Sequence, residues 1–213
     1  MTTIAASSSL QALLERLVDY AGLFPPATLT MREAVANFAS YRASPDAWML
    51  GRFVVPIARL DELAREAAAL VDERQGPWTV SAIVSADPAG DSAAVRAFNG
   101  IHRGRLVVDA VELRAATPEA IDWALPLLDR ELTVFVEIPI DVDPRALLET
   151  IKRHEAGAKV RTGGITADLF PSARELARFI ASCAVLELPF KATAGLHHPL
   201  RSEQRLTYEP GAS

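Results

Sequence analysis

From Leu50 onward the chain alternates short β-branched or aromatic runs with amphipathic stretches of helical period, and this rhythm restricts the fold most. The runs cover residues 52–56, 78–84, 106–113, 132–138, 158–164 and 190–196. Successive runs begin 26 to 32 residues apart, the length of a strand and its crossover helix. Parallel strands need such crossovers, so the repeat demands a parallel sheet covered by helices. Helix starts are marked between the runs. Thr30 with Glu33 and Ser172 with Glu175 have the form of capping boxes, and Thr117-Pro118 and Asp143-Pro144 place a cap before a first-turn proline.

An open doubly wound sheet keeps its strands nearly all apolar. Here Thr79, Ser81, Glu112, Glu137, Lys159, Arg161, Lys191 and Thr193 alternate with apolar neighbours, so one face of the sheet is polar. A barrel provides an inner face that turns polar near its catalytic end. The expected architecture is therefore α/β, a (β/α)8 TIM-type barrel, as one domain over residues 1–213. Six strands are clear, and residues 20–24 ahead of Pro25-Pro26 make a seventh. The eighth is either residues 2–6 or a segment beyond Ser213. With 213 residues against about 250 for the fold, the expectation is a barrel truncated at its C-terminus, or one closed by another subunit of a homo-oligomer.

A net charge of -5 and a pI near 5.4 argue against general binding to nucleic acid or to anionic membranes. No run is apolar enough over its length to cross a bilayer. No Lys or Arg precedes Arg16, as a secretory signal would require, and Leu10, Leu13, Leu14, Leu17 and Val18 follow helical spacing. The expected location is the cytoplasm. The single cysteine, Cys183, agrees with a reducing compartment, and its helical pattern of apolar neighbours makes it a buried thiol.

The chemistry should lie on the polar strand face near the C-terminal strand ends. Glu112 and Glu137 are its acids; Lys159, Arg161 and Lys191 are its cations. Cations projecting into a barrel are costly to desolvate unless they meet an anion or react. Three of them on two successive strands exceed what two glutamates need, which points to a small anionic or carbonyl metabolite. A structural ion-pair network is the plainer reading. If the two lysines lie close, one loses proton affinity, and its neutral amine can condense with a ketone or aldehyde. Glu137 would then move protons.

Lys191-Ala192-Thr193-Ala194-Gly195 and Lys159-Val160-Arg161-Thr162-Gly163-Gly164 resemble the paired late strands of Schiff-base barrel aldolases, the deoxyribose-phosphate aldolase group in particular. That family places lysines on neighbouring strands, one in a Lys-Thr-x-x-Gly-like setting; here Ala192 separates Lys191 from Thr193. The resemblance implies a lyase with Lys159 or Lys191 as nucleophile.

Thr162, Gly163 and Gly164, followed by a helix start near Ser172, resemble the phosphate grips of sugar-phosphate isomerase and synthase barrels; a turn needing positive φ is the equal alternative. His197 and His198 follow the last run at a barrel mouth, where His197 would serve as acid or base, or one of the pair with Glu112 or Glu137 as a metal ligand. His198, with Thr193 and Arg161, would bind substrate; ordinary loop histidines are the equal alternative. No His-x-His or His-x-x-x-His pair exists, and no metal or other cofactor is expected. The chain also lacks the glycine-rich nucleotide signatures and a nucleophilic serine elbow. The leading reading is a lyase acting through a lysine Schiff base. A cofactor-free isomerase using Glu and His, and a non-catalytic metabolite-binding barrel, are the alternatives.

Overall fold

A computed structural model describes residues 8–194. Its strands are β1 (Val18–Tyr20), β2 (Leu50–Pro56), β3 (Trp78–Ile83), β4 (Leu106–Arg114), β5 (Thr133–Glu137), β6 (Gly157–Arg161) and β7 (Phe190–Thr193). The helices are α1 (Ser8–Leu14), α2 (Met31–Arg42), α3 (Leu60–Ala67), α4 (Pro88–Ile101), α5 (Pro118–Ala124), α6 (Arg145–Arg153) and α7 (Ala173–Val185). All seven strands are parallel and pair in chain order, β1 to β7, each joined to the next through a helix. A doubly wound sheet reverses its strand order at a switch point. None occurs here, and the topology is that of an incomplete (β/α)8-type barrel.

The chain divides into two compact units, residues 1–82 with 95–109, and residues 83–94 with 110–213. In the first, Phe38 of α2 packs against Phe53 and Trp78 with ring centroids 5.3 and 4.9 Å apart. Phe53, Val55, Trp78 and Val80 occupy alternate positions of β2 and β3 and are buried, the helix-facing set that the period of two requires. In the second, Val136, Ala158 and Val160 are buried with Leu148 and Ile151 of α6 and Phe179 and Cys183 of α7. Cys183 is thus the buried helical thiol expected.

The capping boxes form as read. Thr30 and Ser172 each accept the backbone N–H three residues on, from Glu33 and Glu175, whose side chains reach back. Thr117 caps α5 ahead of Pro118. The α6 start falls one residue late: Asp143 Oδ1 accepts the N–H of Arg145 at 3.1 Å, and Pro144 is the cap position.

Two expectations for the N-terminal region are corrected. The seventh strand is Val18–Tyr20 instead of residues 20–24, because Ala21 to Phe24 close a turn, with the Phe24 N–H on the Ala21 carbonyl at 3.0 Å. The leucine stripe ends with α1 at Leu14, and Leu13, Leu17 and Val18 are exposed. The eighth-strand candidate at residues 2–6 lies outside the described residues. Among the described residues, no helix is long and apolar enough to cross a membrane.

Candidate functional site

Strand register assembles the site. Arg114 on β4 lies opposite Glu137 on β5, Glu137 opposite Lys159 on β6, and Lys159 opposite Lys191 on β7. Residues opposite one another in a parallel sheet point the same way, so this charged row shares a face. Two residues back along the strands, Glu112 lies opposite Phe135, and Phe135 opposite Gly157. Two residues forward, Arg161 faces Thr193.

The side chains close into an alternating chain of charges. Lys191 Nζ donates to Glu112 Oε1 at 2.6 Å, and Lys159 Nζ lies 2.8 Å from Glu112 Oε2 and 2.7 Å from Glu137 Oε2. Arg114 Nη2 donates to Glu137 Oε1 at 2.6 Å, with Arg161 Nε 3.8 Å from the same oxygen. Glu112 is 2% exposed, and Glu137 and Lys159 are buried, whereas the side chains of Arg114 and Arg161 are 71% and 42% exposed. Four cations thus meet two carboxylates, and the surplus positive charge is at the solvent-facing rim.

Burial alone would raise the Glu112 carboxyl, but the charge of Lys159, then that of Lys191, outweighs it and holds Glu112 down to about 2. Burial likewise pushes Glu137 up, and Lys159 and then Arg114 bring it below the ordinary carboxylate range. The two lysines do not act on each other as bare neighbours: they contact opposite oxygens of one carboxylate.

Gly157 makes room for this arrangement. A Cβ there would come 2.7 Å from the Phe135 ring, so the ring occupies the space a side chain would take. Lys191 Nζ lies 5.8 Å from the centroid of that ring, an apolar and π-rich floor beneath the ammonium.

The other sequence-derived residues are placed as follows. Thr162 is buried and stitches β6 to β7: its N–H donates to the Thr193 carbonyl at 2.8 Å and its hydroxyl to the carbonyls of Thr193 and Ala194. The Thr193 hydroxyl reaches the Val160 carbonyl at 3.4 Å. Gly163 and Gly164 both have negative φ, the positive-φ glycines described being Gly76 and Gly104. Gly164 is instead small because Leu169 packs on it, a Cβ there falling 2.2 Å from Leu169 Cδ1. The α-helix after this pair starts at Ala173, nine residues past Gly164; the Ser172 hydroxyl accepts the Glu175 N–H and the Glu175 carboxylate accepts the Ser172 N–H. His197 and His198 lie outside the described residues. Among the described residues, no group of three or more His, Cys, Asp or Glu side chains is placed to hold a metal.

Sequence reading missed Arg114, Phe135 and Gly157. It also passed over a count: the chain has three lysines against 19 arginines, and two of the three are in this site. The third, Lys152, extends from α6 to the Glu187 carbonyl at 3.3 Å.

No protein-family model, no curated protein and no solved structure matches the chain.

Proposed function

We propose that the C-terminal ends of β4–β7 form the active site of a barrel-type enzyme acting on a small anionic carbonyl metabolite through a Schiff base on Lys191. The use of lysine carries this reading. A chain that meets nearly all its need for positive charge with arginine keeps lysine at two strand positions converging on one buried carboxylate. Arginine serves an ion pair at least as well, but it cannot give up its proton to become a nucleophile.

Lys159 contacts two carboxylates and Lys191 only one of them, so Lys191 takes the nucleophile's role in this reading. In the reaction the Lys191 ammonium loses one proton to water, its nitrogen attacks the carbonyl carbon, and the carbonyl oxygen takes up that proton and a second one from the nitrogen and departs as water. The resulting C=N cation accepts the electron pair of the C–C bond one carbon away. That bond breaks to an enamine, the other fragment leaves as an aldehyde and its hydroxyl proton passes to water. Protonation of the enamine and hydrolysis of the imine return the lysine. At the iminium stage Glu112 faces a cation where it had faced an ammonium, so its charge stays balanced. Arg161 and Arg114 attract the anionic end of the substrate from the rim.

Glutamate-driven proton transfer, the isomerase reading, has less support. A carboxylate held near 2 and a second one below its usual range serve as counter-ions and are poor bases at neutral pH.

The test is borohydride reduction in the presence of small ketones, aldehydes and 2-oxo acids, followed by peptide mapping. A reduced adduct at Lys191 that vanishes in Lys191→Met is the expected result. No adduct from folded protein, or modification confined to Lys152, overturns the reading.

A further inference from the structure

A second feature lies at the N-terminal ends of β1–β3. Arg42 closes α2, and its Nη2 donates to the carbonyls of Gln75 and Gly76 at 3.0 and 3.3 Å. Gly76 has a φ of +75°, a left-handed conformation open to glycine, and turns the chain just ahead of β3. The Nε of Arg42 is buried and has no acceptor among the described residues. Arg32, Arg52, Arg59 and Arg74 of the same unit each pair with a carboxylate, whereas Arg42 has no carboxylate partner among the described residues.

Its charged neighbour is another arginine. Arg16 donates its backbone N–H to the Trp48 carbonyl at 2.8 Å, and its Nη2 reaches Thr79 Oγ1 at 3.4 Å. Burial first, and the Arg16 charge second, hold Arg42 below its ordinary value. A half-buried guanidinium opposed by a like charge is unfavourable until an anion joins it.

Beside Arg42 an open cavity of about 320 Å³ is lined by Arg42, Ala47, Trp48, Leu50 and Gln75. That is room for a small organic molecule. Its lining divides by chemistry: an indole, a leucine and an alanine offer apolar surface, while Arg42 supplies the charge and Gln75 is a polar neighbour. The planar guanidinium pairs with the two oxygens of a carboxylate, and the apolar surface beside it suits a ligand whose remainder is a ring instead of a bare oxyanion.

We propose that this cavity binds a small aromatic carboxylate, its carboxylate on Arg42 within the field of Arg16 and its ring against Trp48 and Leu50. The cavity shares no residue with the lysine row, and its ligand need not be the substrate.

Benzoate, acetate and inorganic phosphate serve as probes, with binding read by calorimetry and by the indole N–H resonance of Trp48, assigned through Trp48→Phe. Benzoate is expected to move that resonance and to bind more tightly than acetate or phosphate. Arg42→Gln should weaken benzoate about tenfold, the loss of one charge-assisted contact, and Arg16→Gln should weaken it less. Should Arg42→Gln fail to fold, Arg42→Lys keeps the charge without the planar fork and should still weaken benzoate measurably. An unmoved Trp48 resonance at millimolar benzoate, tighter binding of phosphate than of benzoate, or unchanged affinity in the folded Arg42 variant overturns the proposal. Borohydride trapping at Lys191 is read independently of all these outcomes.

Discussion

Lys191 on β7 hydrogen-bonds Glu112 on β4 at 2.6 Å, although β5 and β6 run between them. On a flat sheet, three strand spacings of about 4.8 Å would separate their backbones by about 14 Å, before counting their stagger along the strands. The contact closes because β4–β7 curve with the charged row on the concave side. Curvature therefore concentrates charge: it draws side chains from four strands to within hydrogen-bond distance, and the burial that follows makes each partner matter.

Removing the shared anion should be severe. Glu112→Gln leaves two ammonium groups around a neutral amide, and breaking a buried ion pair from one side costs about 3–5 kcal/mol. Urea unfolding should show that loss. Replacing Glu112, Lys159 and Lys191 together by Leu, Met and Met should recover most of it while abolishing borohydride trapping. A fully stable single variant would mean the cluster is far wetter than its burial indicates.

Acid should destabilise the protein through the same carboxylate. Glu112 has an ordinary value of 4.5 and a folded one of about 2, so the folded state binds fewer protons between those limits. Its contribution is present in full above pH 4.5 and is lost as the pH falls toward 2. The amount is roughly 3 kcal/mol. Unfolding midpoints measured through this window should fall more steeply for the native protein than for Glu112→Gln.

Gly157→Ala should cost about 1–3 kcal/mol, the range for overpacking, because its methyl group meets the Phe135 ring. Phe135→Leu in the same chain should restore part of the loss. Additive effects in a double-mutant cycle would show that the two positions do not share the space.

Cys183 should resist thiol reagents until the protein unfolds. The residue is 1% exposed, and burial pushes its thiol up to about 11. Labelling in the native state should be slow at pH 8 to about 9 and complete within minutes in denaturant; equal rates in both would contradict the packing of α7.

Periodicity made the strands and their polar face legible, since the alternation of residues decides which side chains share a side of the sheet. It could not give the rows. Which residue of β4 stands opposite which residue of β5 depends on loop lengths and helix docking, so Glu112 could be seen as a site residue but not as the partner of both lysines. Arg114 was missed because the run as read stopped at Leu113, one position short, although its spacing of two from Glu112 puts it on the same face. Near the N-terminus, the apolar residues 20–24 outweighed the true strand. That strand is fixed instead by Asp19, whose Oδ1 accepts the Arg52 N–H at 2.6 Å beside Gly51, a contact with no signature in hydropathy.

The chain-order pairing of the strands has a consequence for synthesis. As the polypeptide leaves the ribosome, each strand can dock on the one made just before it, so the sheet can grow in the direction of translation. Glu112 emerges with β4, but its partners Lys159 and Lys191 follow 47 and 79 residues later. Until then its carboxylate must stay hydrated, and the sheet around it cannot close. The last described strand brings Lys191, the final counter-charge, so the charged row is completed only once β7 has been made.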